Sequence, residues 1–102
     1  MSMIRIAKII VDAVFLEQFK AALKDGVETS VRVEPGVKAL YAASAKDAPT
    51  HFTVLEIYAD QAAYESHINT PHFLKYKAET QHMVKSLELT DCDALVPDMR
   101  IE

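Results

Sequence analysis

From Met3 to Val11 the chain reads MIRIAKIIV, with apolar side chains on both parities. Ile4, Ile6 and Ile10 fall on one side of an extended chain; Ala7, Ile9 and Val11 fall on the other. β-branched residues fit a pleated surface, and a strand apolar on both faces belongs inside a sheet covered on both sides. The run is far short of the ~20 apolar residues that a membrane-spanning helix needs. Whatever the chain folds into must therefore place this strand centrally and supply cover for each face.

The segments that follow supply one cover. Asp12 stands where a helix N-cap belongs, and Phe15, Phe19, Ala22, Leu23 and Val27 recur at helical spacing, with Glu17, Lys20 and Lys24 at other positions. Gly26 falls inside this helix at a cost of ~1 kcal/mol relative to alanine, so either a close approach to the sheet or a kink is expected there. Glu34-Pro35-Gly36 ends the helix, because proline lacks the N–H for the next bond and disfavours α geometry before it. Val37–Ala45 and His51–Ala59 read as strands joined by the turn KDAPT, a hairpin. Asp60 caps a short helix, QAAYESHI, and Thr70-Pro71 opens another, with Phe73, Tyr76, Thr80, Met83 and Val84 on its inner stripe. A last strand begins near Ser86, with a register break expected near Asp91, and residues 97–102 read as an irregular tail.

The order is β-α-β-β-α-β. This predicts one α+β domain over residues 1–102, a ferredoxin-like four-stranded antiparallel sheet with helices on one face. The other apolar face has no helical layer left to cover it. A second copy is the simplest cover, so a homodimer packed sheet to sheet, a dimeric α+β barrel, is expected.

Composition excludes several function classes. Eleven basic residues against fifteen acidic ones give a formal charge of −4. Nucleic acid is therefore not expected as a partner, since phosphate binding needs a basic stripe. Neither Gly26 nor Gly36 opens a phosphate-binding turn, and a nicotinamide or flavin fold needs a longer chain. The single cysteine, Cys92, has no internal partner and reads as a packing residue. Charges at Arg5, Lys8 and Asp12 break the N-terminal apolar run, so no signal peptide is read and a cytoplasmic location is expected.

The chemistry concentrates between Glu56 and Tyr76, in EIYADQAAYESHINTPHFLKY. Glu56 lies on an otherwise apolar strand face, so it needs a partner or a shifted pKa. Two readings fit it: a salt bridge or backbone hydrogen bond, or a carboxylate that orients a histidine. Tyr64, His67 and Ile68 share one helical face, as do His72 and Tyr76 on the next helix. Histidine suits proton transfer near neutrality, and a satisfied core or cap histidine is the competing reading. A metal on His67, His72 and Glu56 is not expected, because the histidines are five apart with Pro71 between them and do not share a helical face.

The chain resembles the antibiotic-biosynthesis monooxygenase domain family over nearly its whole length. The marks are EPGV at Glu34–Val37, E-x-Y at Glu56–Tyr58, A-x-x-x-H at Ala63–His67 and T-P-H-F at Thr70–Phe73. The resemblance implies a pocket between sheet and helices, walled by His67 and Glu56 with His72 and Tyr58 near. The position of Tyr58 often holds tryptophan in relatives, and the family's haem-degrading branch relies on a tryptophan; this chain has none, which argues against haem.

The expected activity is cofactor-independent oxygenation of a small phenol, quinol or polyketide-like aromatic by O2. A closed-shell substrate must give triplet oxygen an electron, and it does so far more readily once deprotonated. On this reading His67 is the base, Glu56 orients it, and His72 or Tyr58 donates to the phenolate. Tyr64, Phe73 and Tyr76 line the cavity with Tyr58, and neither metal nor cofactor takes part. Two alternatives use the same groups. One is isomerisation of a small carbonyl compound, a phosphorylated one needing an anchor such as Arg5, Lys8, Arg32 or Lys38. The other is a non-catalytic dimeric module that binds a small ligand.

Overall fold

The computed structural model describes residues 2–96; the predicted tail lies outside them. Four strands, β1 (Met3–Val11), β2 (Val37–Ser44), β3 (His51–Tyr58) and β4 (Val84–Cys92), form one sheet in the order β2-β3-β1-β4. Every pairing is antiparallel. The doubly apolar strand β1 is central, between β3 and β4. Three helices, α1 (Leu16–Val33), α2 (Gln61–His67) and α3 (Pro71–Thr80), complete the ferredoxin-like α+β fold.

The register explains the core. Ala7 faces Val54 and Ile9 faces Phe52, so the buried parities of β1 and β3 make one continuous surface. Phe19 and Leu23 of α1 and Met83 close over it. Phe19 is 0% exposed, and its ring lies 4.9 Å from that of Phe52. Burying such a side chain stabilises by roughly 1.5–3 kcal/mol. The opposite parity carries Ile4, Ile6, Leu55 and Ile57 on a face without helices, where Tyr41 is 62% exposed.

Local structure departs from the sequence reading in instructive ways. Asp12 does cap, accepting from Val14 N–H at 3.1 Å, but it caps a 3-10 turn at Ala13–Phe15 that leads into α1. Strand β4 starts at Val84, before Ser86. Its irregularity lies at that end and not at Asp91: Ile10 pairs with Ser86 while Val11 pairs with Val84. Asp91 stays in register opposite Arg5 and binds its guanidinium, which explains a charged residue where the apolar alternation stops.

The two glycines differ. Gly26 sits in an unbroken helix, and a Cβ there would meet Tyr76 of α3, not the sheet, at an ordinary 3.7 Å. A Cβ on Gly36 would stand 2.7 Å from the Cβ of Ala63. The turn after α1 and the helix α2 therefore touch through a missing side chain. This contact carries Glu34, two residues upstream, toward His67, four residues downstream of Ala63.

Gly36→Ala should destabilise the protein by about 1–3 kcal/mol, the usual cost of overpacking, and adding Ala63→Gly should recover part of the loss. Gly26→Ala should instead stabilise by about 0.4–1 kcal/mol, because the helical backbone accepts alanine and the unfolded chain loses freedom. Urea denaturation of the three variants checks both signs.

Candidate functional site

Three chain segments deliver one cluster. Glu34 is the C-cap of α1, its own N–H bonded to the Ser30 carbonyl, so its side chain leaves the helix where the chain turns. His67 closes α2, and His72 lies in the first turn of α3. The link between those helices is tied twice: Thr70 Oγ1 donates to the His67 carbonyl at 2.8 Å and accepts from Phe73 N–H at 3.2 Å. Both imidazoles then reach the same carboxylate oxygen. His67 Nδ1 lies 3.0 Å and His72 Nε2 2.6 Å from Glu34 Oε2.

An ionised carboxylate only accepts hydrogen bonds. Both nitrogens that face it therefore carry hydrogen, and a neutral His67 is held as the Nδ1–H tautomer. Burial pushes the Glu34 carboxyl upward, but the bonds from His72 and His67 outweigh it and hold the group below its ordinary range. Nε2 of His67 has no protein partner among the described residues, where no sealed side-chain nitrogen or oxygen is left unbonded. His67 lines a cavity, and with Nδ1 committed to Glu34, Nε2 is the ring nitrogen left for it.

That cavity, about 80 Å³, lies between the sheet and the helices. Ala7, Ile9, Val54 and Leu40 form its floor, with Leu23, Val27, Phe73 and Tyr76 from the helices. Its polar wall is Glu56, His67 and Ser30, and Ser30 is already committed to the Gly26 carbonyl at 2.8 Å. No lysine or arginine lines it among the described residues. Phe73 and Tyr58 pack against the His67 ring at centroid distances of 5.0 and 5.3 Å, and the residue is 6% exposed.

Glu56 does not orient His67. Its Oε1 accepts from Tyr58 O–H at 2.6 Å. Burial raises the Glu56 carboxyl, against the bond from Tyr58 and the nearby His67 and Arg5. Burial, then the bond to Glu56, raises Tyr58 as well. Tyr58 is 0% exposed and absent from the cavity wall, so it supports Glu56 and presents no hydroxyl to a ligand. Tyr64 is likewise off the wall: it stacks edge-on against Tyr58 and lies under the Arg5 guanidinium at 4.5 Å. His72 meets Glu34 and not the cavity. Of the residues singled out in the sequence, His67, Glu56, Phe73 and Tyr76 line the space, while His72, Tyr58 and Tyr64 stand behind it.

Glu34 is the residue that sequence reasoning missed. Its EPG context was read as a helix stop and as a family mark, with no role for the Glu34 side chain. The spacing argument against a shared ligand set for His67 and His72 also fails, because the two come from different helices and meet at Glu34. The three ligand atoms lie within 4.8 Å of one another, a set able to hold a metal ion.

A sequence profile of the antibiotic biosynthesis monooxygenase family matches residues 2–79. The chain belongs to this family. A structure of a Bacteriodes thetaiotaomicron protein bearing the same family description is 51% identical, with a TM-score of 0.97, covering 99% of this chain and 96% of that one. A Nitrosomonas europaea protein of the same description is 25% identical at a TM-score of 0.87, covering 94% of this chain and 92% of the other. A Lactobacillus acidophilus protein described as a monooxygenase is 33% identical at a TM-score of 0.86 over 88% of this chain, which spans 43% of it. No curated protein matches the chain. No helix among the described residues is long and apolar enough to cross a membrane.

The two carboxylates should pull stability in opposite directions with pH. Glu34 has a lowered folded pKa, so it contributes stability above the ordinary glutamate value of 4.5 that is lost as pH falls through its folded value. Glu56 has a raised folded pKa, so acidification through that value toward 4.5 is stabilising. Urea midpoints followed from pH 7 downward should rise and then fall. Glu56→Gln should flatten the rise and Glu34→Gln the fall.

Proposed function

We propose that this protein is a cofactor-independent monooxygenase acting on a small, electron-rich aromatic, a phenol or hydroquinone. The observation that supports this best is the Glu34–His67 pair, with Nε2 the ring nitrogen left for an apolar cavity. His67 Nε2 takes the proton of the substrate hydroxyl. Glu34, bonded to Nδ1–H, holds the tautomer before transfer and stabilises the imidazolium after it, as the carboxylate does in other acid–histidine pairs. The phenolate then reduces O2 by one electron, and the resulting pair combines to form a C–O bond. Loss of water leaves the carbonyl: hydroquinone plus O2 gives hydroxyquinone plus H2O. One oxygen atom enters the product, the other leaves in water, and the substrate supplies all four electrons.

The Glu56 carboxyl, its pKa raised by burial, forms the other polar wall and stands opposite a second substrate oxygen. A cavity of about 80 Å³ is below the ~150 Å³ that admits benzene to an engineered core. This favours a single ring entering from the open side, with Phe73 and Tyr76 shifting to admit it. Isomerisation of a phosphorylated compound has less support. Arg5 is bound to Asp91 and Lys38 Nζ lies 3.2 Å from Ser2 Oγ, so neither stands free as an anchor on the cavity wall.

The test is oxygen uptake by the purified protein with a panel of single-ring hydroquinones. His67→Ala should lower turnover by about 10²–10⁴-fold, the usual contribution of a general base, with the fold retained. Conversion at equal rates under argon and air would exclude the oxygenase reading. The uncovered sheet face supports a sheet-to-sheet homodimer, as in the sequence reading. Light scattering should give twice the chain mass, and Leu55→Arg, which charges that face, should give the monomer.

A further inference from the structure

We propose that Glu34, His67 and His72 form a three-ligand site for a divalent transition-metal ion such as Zn²⁺, and that filling it switches the base off. The second half rests on the oxygenase reading; the first does not. The donors are two imidazole nitrogens and one carboxylate oxygen, the set that Zn²⁺ and its neighbours in the transition series favour, with room for water at a further position. They converge from three segments, with Oε2 3.0 Å from His67 Nδ1 and 2.6 Å from His72 Nε2. A tetrahedral ion with bonds of ~2.0–2.2 Å sets its ligand atoms roughly 3.3 Å apart. Both of these separations open by less than an ångström, while the two imidazole nitrogens, with all three ligand atoms inside 4.8 Å, draw together; these are side-chain adjustments and not a refolding. The side chains of Glu34 and His72 keep 11% and 15% of their exposure, which gives an ion a route from solvent.

Ion binding would reverse the hydrogen-bonding logic of the cluster. A nitrogen that binds metal must present its lone pair, so the hydrogens now aimed at Glu34 leave the two ligating nitrogens. In a neutral imidazole each moves to the other ring nitrogen, and no net proton is released. For His72 that is Nδ1. For His67 it is Nε2, the ring nitrogen left for the cavity. With an ion in place His67 shows the cavity a donor where it had an acceptor, and it can no longer remove a proton. The same three side chains thus have two mutually exclusive arrangements: a hydrogen-bonded one that is basic toward the cavity and an ion-bound one that is not.

Titration calorimetry of the full-length wild-type protein with Zn²⁺ should show one ion per chain. His72→Gln should weaken binding by roughly 100-fold, while Cys92→Ser, away from the cluster, should leave it unchanged. Nitrogen NMR on the unmodified protein makes the claim independent of any variant: His67 Nδ1 and His72 Nε2 should shift together as Zn²⁺ is added. Absence of saturable binding, binding abolished by Cys92→Ser, or shifts confined to His51 and His82 would overturn the site. Full oxygen uptake by the Zn²⁺-loaded protein would overturn the switch. If the metal-free protein shows no uptake at all, the oxygenase reading fails, and calorimetry with NMR still decides the site.

Discussion

One carboxylate oxygen organises this molecule's chemistry. Oε2 of Glu34 accepts from two histidines that arrive on separate helices, and each bond makes demands on the fold. Helix α1 must stop at Glu34, which Pro35 enforces. Helix α2 must lie against the turn, which the missing Cβ of Gly36 allows. The link from α2 to α3 must be short and rigid, which Thr70 and Pro71 secure from both sides. None of these devices touches the cavity. Together they fix which nitrogen of His67 faces it.

The second carboxylate occupies the opposite regime. Glu34 is surrounded by donors, which lower its pKa; Glu56 lies beside an apolar floor with Tyr58 as its hydrogen-bond donor, and burial raises its pKa. Two acids within one small site are thus pushed apart in pKa by their surroundings, the arrangement that lets one side of a cavity accept a proton and the other donate one. Tyr58 and Arg5 serve this division from behind: the phenol holds Glu56, and the guanidinium, tied to Asp91 and stacked on Tyr64, stays out of the cavity.

Much of the fold was legible because periodicity reports burial. The doubly apolar β1, the alternation in His51–Tyr58 and the caps at Asp60 and Thr70 all recur in the structure. The edges were less legible: the start of β4 and the shift at Ile10/Val11 depend on pairing across strands, which a local pattern does not carry. In the candidate site His67 was found from residue type and place in the chain. Its partner was misassigned to Glu56, because the two stand in one conspicuous stretch. Glu34 lies 33 residues from His67, and only the packing of α2 on the Gly36 turn brings them together. Tyr58 was placed at the pocket by the family resemblance, and Tyr64 was grouped with Phe73 and Tyr76 as lining. Only the register shows Tyr58 at the end of the buried face, opposite Met3.

The protonation pattern of the His67 ring tests the central claim most directly. Long-range proton–nitrogen correlation spectra of the metal-free protein near neutral pH distinguish the two neutral tautomers and the imidazolium. Hydrogen on Nδ1 with a bare Nε2, lost in Glu34→Ala, is the result this account predicts. Hydrogen on Nε2, or a pattern indifferent to Glu34, would mean that the carboxylate does not set the base and that the cavity meets a donor instead.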